Sequence, residues 1–265
     1  MNIYRQEMKM SLRSMISWSL GLLLVLLFFM FMFTAISQDA ALITQMTSQF
    51  PPAVVRALGL SSLDLSTVLG FYGYVYLFIL LTGSVYALKS GISALSEEVR
   101  AKTADFLVSK PITRTTIVTA KIMSVITLVV LQTVIYIGGA FIITQLITNQ
   151  YFDEATFLMI NLSLFLVELF FVGLGLLLSV IIKRIKTVLP IALGIVFVFW
   201  ILQMLNQSLA DPILAYLTPF AYFDIAKIIA TGSYETVYLF CDAILIAFFT
   251  VLTYIIYQHK DMPSV

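Results

Sequence analysis

Six apolar runs fix what this chain can become. They are Ser17–Ile36, Thr67–Leu88, Ile117–Leu146, Thr156–Ile182, Thr187–Leu205 and Thr236–Tyr257. A helix rises about 1.5 Å per residue, so about 20 apolar residues cross a hydrocarbon core of about 30 Å. Each run is about that long or longer, and a helix is the form that satisfies its own backbone hydrogen bonds within one segment in lipid. The chain is therefore expected to be an all-α membrane protein, one domain over residues 1–265 built on six transmembrane helices. Its composition agrees: 61% of residues are hydrophobic and 11% charged, where a soluble domain has about half and about a quarter. The first run is too long for the h-region of a secretion signal and no small-residue cleavage site follows, so it is expected to stay as an anchor.

Lys and Arg give the runs a direction. Arg5, Lys9 and Arg13 precede the first run. Lys89, Arg100, Lys102, Lys110, Arg114 and Lys121 lie at or between the second and third. Lys183, Arg184 and Lys186 form the turn between the fourth and fifth, and Lys260 follows the sixth. That puts 13 of the 15 basic residues on one side and only Arg56 and Lys227 on the other. The second side carries Asp39, Asp64, Asp153, Glu154, Asp211, Asp224 and Glu235. A multi-pass protein of the plasma membrane with both termini cytoplasmic is expected.

The segments around the runs have patterns of their own. Over residues 1–16, Tyr4, Met8, Leu12 and Met15 share one helical face and Arg5, Lys9 and Arg13 an adjacent one, which predicts an amphipathic interfacial helix on the cytoplasmic surface. The outer loop Ser37–Ser66 should form short helices broken at Pro51 and Pro52. Asn149–Glu154 reads as a simple turn. The outer segment 206–235 is too apolar for a solvated loop; it is punctuated by Pro212 and Pro219 and ended by Gly232. Two short re-entrant helices before the last run are expected there, covered by protein or lining a wet cavity.

The least lipid-like stretch is Ser96–Arg114, between the second and third runs. It carries Glu97, Glu98, Arg100, Lys102, Asp105, Lys110 and Arg114. Ser96 suits an N-cap, the acidic pair suits a first turn, and Pro111 stops a helix. Thr113 is then placed to cap the third run. The pattern predicts a short amphipathic helix at about 96–110, shaped to dock on a soluble partner. A loop that only keeps the basic side inside would explain the cations but not the acidic pair, the cap or the proline stop.

This stretch resembles a motif of the permease subunits of type-2 ABC transporters, the six-span half-permeases: E-x-x-x-x-T-x-x-x-L-x-x-x-P-[IV]-[ST]-R, matched by Glu98, Thr103, Leu107, Pro111, Ile112, Thr113 and Arg114. Arg100 and Lys102 stand where the family often has an acidic residue and a glycine. Thr218–Asp224 is similar to the family's P-F-x-Y-F-D segment, and Gly173, Gly175 and Ser179 match its fourth span. The resemblance implies that 96–110 is a coupling helix inserting into a separate ABC ATP-binding subunit through Glu97, Glu98, Thr103, Leu107, Pro111, Thr113 and Arg114. It implies export by two permeases, a second copy or a sister chain, with the second and fifth spans lining the path. The sequence lacks a G-x-x-x-x-G-K-[ST] loop, so ATP and Mg are expected in the partner and no cofactor in this chain. The chain is expected to be a transport subunit rather than an enzyme.

Polar residues inside the runs are costly and so informative. Glu168 sits mid-run with no Lys or Arg at its depth; it is expected protonated, or hydrogen-bonded to Gln132 or Tyr136. Contact with cargo and helix–helix bonding are both open for it. Tyr72 and Tyr76 share a face and fit either an interfacial aromatic belt or a path lining. Asp242 reads as interfacial. Cys241 and His259 are the only Cys and His, which excludes an internal disulfide and leaves no His- or Cys-based metal site or triad. The alternative is a self-contained secondary transporter or channel, which would want carboxylates in matched halves. An intramembrane enzyme lacks a nucleophile with a base, and nucleic-acid binding lacks a basic patch. The cargo stays open: an amphipathic peptide, a lipid-like molecule or a hydrophobic antibiotic.

Overall fold

The computed structural model of the chain describes residues 3–36, 49–100, 113–182, 185–209 and 211–259. Ten helices lie among them: α1 (Ile3–Ile36), α2 (Pro52–Ala57), α3 (Val68–Arg100), α4 (Arg114–Thr148), α5 (Glu154–Ile181), α6 (Val188–Leu209), α7 (Pro212–Leu217), α8 (Pro219–Tyr222), α9 (Ile225–Thr231) and α10 (Thr236–His259). Six of these, α1, α3, α4, α5, α6 and α10, are long and apolar enough to cross a membrane. The protein is thus an all-helical, multi-pass membrane protein.

Helix ends fall where the side chains can pair orphan backbone groups. Thr113 caps α4, its Oγ1 accepting from the Thr116 N–H at 3.3 Å. Asn149 closes the same helix in the left-handed region, at φ 47°. Asp153 then opens α5, accepting from the Thr156 N–H at 2.8 Å. Hydrogen bonds from the side chain and backbone of Thr156 hold the Asp153 carboxyl below the usual Asp range. The result is the short turn the sequence predicts between these two spans.

The centre of the bundle is the pair α3–α5, its most extensive helix contact. Without a strong hydrophobic drive between helices in lipid, such a contact depends on close packing, and small residues permit it. A Cβ on Gly91 would lie 2.5 Å from the Val172 carbonyl oxygen, and one on Gly175 would lie 2.6 Å from that of Leu88. The two backbones touch. The other long helices surround this pair, α1 against α4 and α3, α10 against α5, and α6 against α3.

Three expectations are corrected. The interfacial helix and first span are one uninterrupted helix, about 51 Å long for its 34 residues. No proline or glycine lies between Ile3 and Leu20 to break it. Its basic end is fastened to α4, where the Tyr4 hydroxyl donates to Thr127 Oγ1 at 3.1 Å. Second, no helix begins at Ser96. That residue is buried inside α3, and its Oγ donates back to the Ile92 carbonyl at 2.7 Å. The second span runs on to Arg100, and the remainder of the expected coupling helix lies outside the described residues. Third, the segment expected at 206–235 holds three short helices, not two, and starts later, because α6 extends to Leu209. Pro212 and Pro219 start α7 and α8, and Asp224 starts α9 by accepting from the Ala226 and Lys227 N–H groups.

Candidate functional site

Two gatherings of polar side chains join the long helices among the described residues. The first is inside the bundle, between α3, α4 and α5. Glu168 is fully buried on α5, and the Gln132 Nε2 on α4 donates to its Oε1 at 2.7 Å. The carboxyl group lies over Gly83 of α3, where a Cβ would come within 2.7 Å of Oε1. Gln132 is therefore the predicted partner. Tyr136 instead shares a 3.2 Å hydrogen bond with Tyr72, whose hydroxyl donates to Asn161 Oδ1 at 2.5 Å. Tyr76 pairs with Ser163 Oγ at 3.0 Å. Tyr72 and Tyr76 are completely buried and stacked at 6.0 Å; both face inward among protein, not outward as a lipid-facing belt would. Glu168 Oε2 and Gln132 Oε1 have no protein partner.

The sequence reading missed Asn161 and Ser163. Asn161 had a signal in its spacing: Asn161, Leu164 and Glu168 fall on one helical face, so polar groups seven apart in an apolar run marked the side of α5 that meets α3; Ser163 lies off that face and had none. Asp242, near one end of α10, is buried among protein, and its Oδ1 has no hydrogen-bond partner among the described residues.

The second gathering is at the basic end. Lys121 is buried on α4, and its Nζ donates to Glu7 Oε1 of α1 at 2.9 Å and to the Ala94 carbonyl of α3 at 2.7 Å. One ammonium thus ties three helices together. It had counted only as a cation that sets orientation. Nearby, Arg114 Nη1 donates to the Gln258 carbonyl at 2.9 Å, in the last turn of α10, where a cation suits the helix dipole. Thr119 and Tyr254 add a hydroxyl pair at 2.8 Å. The ends of α1, α3, α4 and α6 enclose a cavity of about 600 Å³, with Glu7, Lys89, Glu97 and Lys186 among its walls.

Of the expected coupling residues, Glu97, Thr113 and Arg114 therefore stand at this end, Thr113 as a helix cap and Arg114 bonded to α10. Glu98 is described in its backbone only, and Thr103, Leu107 and Pro111 lie outside the described residues. No group of three or more His, Cys, Asp or Glu side chains that would hold a metal occurs among the described residues. Chemically, the arrangement holds helices together and joins their basic ends; it presents no nucleophile beside a base.

Comparison with curated proteins gives no match. The model of a protein family described as "ABC-2 family transporter protein" matches residues 1–262. That span is nearly the whole chain, and it agrees with six long apolar helices and with a site built for packing rather than catalysis. The chain belongs to the ABC-2 transporter family, as a non-catalytic membrane permease component.

Proposed function

We propose that this chain is the permease half of an ATP-driven exporter. It works as a pair, with itself or a sister chain, and each permease engages a separate ABC ATP-binding subunit in which ATP and Mg²⁺ act. The basic end faces the cytoplasm with both termini, and the segment from Glu97 to Arg114 meets the ATPase through Glu97, Glu98, Thr103, Leu107 and Pro111.

The observation that carries this reading is the placement of the segment's two flanks. α3 runs to Arg100 and α4 begins after Thr113, and the same ends of these two helices carry the Lys121 junction that ties α1, α3 and α4. A push on the segment between them is delivered to three helices at once, which is what a motor working from outside the membrane requires. Thr113 and Arg114 serve this by anchoring the start of α4, the first as its cap and the second to α10.

Co-purification with the ATP-binding subunit tests it. Glu98→Arg and Thr103→Arg should each abolish recovery of the complex while the permease still accumulates in the membrane. Arg114→Glu is the less clean probe, because it also removes a bond to α10. Full recovery of a complex with unchanged ATPase rate in both variants would overturn the coupling role.

A further inference from the structure

The Glu168–Gln132 pair is short of one hydrogen. Both side chains are fully buried, and the bond from Gln132 Nε2 to Glu168 Oε1 at 2.7 Å leaves Glu168 Oε2 and Gln132 Oε1 without a partner. With the carboxyl group ionised both atoms are acceptors, so neither can satisfy the other. Turning the amide over would set oxygen against oxygen at that same 2.7 Å, a separation that itself calls for a hydrogen between them. Thr133 Oγ1 also faces the carboxyl group, but its hydrogen goes to the Val129 carbonyl at 3.0 Å, so it too can only accept. Among the described residues no Lys or Arg forms an ion pair with Glu168. The groups that face it are the phenols of Tyr76 and Tyr86 on α3 and the amide and hydroxyl of Gln132 and Thr133 on α4. A bare carboxylate is costly in such a place. One proton on Oε2 cancels the charge and supplies the missing donor.

The two sides of the pair differ. Toward the start of α5 the way is plugged by rings: Tyr72, Phe157, Phe152 and Phe141 form a continuous cluster with centroids between 4.7 and 6.1 Å apart. The hydroxyls of Tyr72, Tyr76 and Tyr136 on that side are all taken up in bonds. Toward the basic end, Tyr86 follows Gly83 by one turn of α3, and Leu128 precedes Gln132 by one turn of α4. Both line the cavity of about 600 Å³. The pair therefore lies about 5 Å, one turn of helix, beyond the cavity wall. Tyr86 connects the two. Its ring packs on Trp18 with centroids 5.9 Å apart, its hydroxyl is beside Ser90 in the cavity wall, and it stands within electrostatic reach of the Glu168 carboxyl group.

We propose that Glu168 and Gln132 form a binding site for one proton, open to the basic end by way of Tyr86. In the bound form Glu168 Oε2 donates to Gln132 Oε1, so that two bonds rather than one join α4 and α5. On release, Oε2 passes its proton to the Tyr86 hydroxyl as that hydroxyl gives its own to water in the cavity, and Glu168 is left a carboxylate. Uptake reverses the order, and only a proton is gained or lost. The site does not depend on what the transporter moves.

Infrared difference spectroscopy of the detergent-purified full-length chain tests it. At neutral pH the unaltered chain should show a protonated carboxyl band that is absent from Glu168→Gln. Isotope-labelled glutamate should displace the same band in the unaltered chain, a label that leaves Asp242 untouched and needs no variant to fold. Gln132→Leu should move the band toward the position of an unbonded acid. In heavy water the band should shift as the proton exchanges. Tyr86→Phe keeps the ring on Trp18 and should slow that exchange at least about tenfold, within what a positioned side chain contributes to a proton transfer. Tyr76→Phe, on the plugged side, should leave the rate unchanged. A Glu168 seen only as carboxylate would overturn the site and leave water or a metal ion as the occupant of the pair. A band unmoved in Gln132→Leu would overturn the pairing. Parent-rate exchange in Tyr86→Phe, or slowed exchange in Tyr76→Phe, would overturn the route.

Discussion

α3 is held in two different ways along its length. From Tyr72 to Gly91 it packs on α5: tyrosine hydroxyls bond across the contact, Gly83 lies under the Glu168 carboxyl group, and at Leu88 and Gly91 the two backbones touch. From Lys89 to Glu97 it borders a cavity, and its carbonyl at Ala94 is held by a single ammonium from α4. In an apolar 18-residue stretch of each helix, 67% of residues are buried in α3 and α5, against 11% in α10. The difference separates a spine from a joint. Close-packed interiors move as rigid bodies because overlap is costly in every direction. A junction of a few charge-assisted bonds around open space has fewer contacts to break. Motion delivered at the basic end would then turn the α3–α5 pair as a unit rather than bend it.

The strongest way to break this comparison is to force the spine apart. Gly175→Leu places a side chain against the Leu88 carbonyl, where even a Cβ would be only 2.6 Å away. A backbone atom cannot step aside like the end of a side chain, so the helices must separate along the contact. Overpacking typically costs about 1–3 kcal/mol, and loss of the whole contact costs more. We expect little folded protein, measured as monodisperse yield and thermal stability in detergent. Gly194→Leu on α6 is the control, because a Cβ there has nothing within 4 Å. Equal stability of the two variants would remove the distinction between spine and periphery.

The joint should break by charge rather than by volume. Lys121→Met leaves the Glu7 carboxylate and the Ala94 carbonyl without their ammonium. Removing one partner of a buried pair costs about 3–5 kcal/mol, and the low end applies here because the Glu7 side chain keeps 15% exposure. Lys121→Met combined with Glu7→Leu should recover most of that loss, since the orphaned charge disappears with its partner. The measurement is a double-mutant cycle on thermal unfolding. Strict additivity would mean that the two groups do not support one another and that the joint is held by something else.

Legibility follows the same division. The spans, the cap at Thr113 and the turn before Glu154 could be read because each depends on local chemistry: apolar length, a hydroxyl before a helix, Asn149 and Asp153 in a tight turn. The Gln132–Glu168 pair could be read because a carboxyl group in lipid must find a partner and few exist at its depth. Lys121 could not. Its sequence neighbours make it look like one more cation at a membrane edge, and its role depends on Glu7, which is 114 positions away. Ser96 misled for a related reason. A serine before two glutamates is a good cap only if the chain is not already helical, and α3 arrives there as an uninterrupted helix. Short-range rules name the ends of isolated elements; they do not say which elements are continuous.

The smallest expected effect sharpens the comparison inside the spine itself. Glu168→Gln keeps the shape and retains an oxygen to accept from Gln132 Nε2, so the contact over Gly83 survives. The cost should be below about 1 kcal/mol, within the range of a single neutral hydrogen bond. Glu168→Leu removes that acceptor and leaves the Gln132 amide buried without its partner, which costs about 1–3 kcal/mol. If Glu168 bonds helices, export in reconstituted vesicles should be unchanged in the Gln variant and should fall in the Leu variant in step with stability. If it carries a charge or a proton for transport, the Gln variant should lose export while staying as stable as the parent. The second outcome would move Glu168 from the spine to the path, and with it the inward-facing surface on which Tyr72, Tyr76 and Asn161 lie.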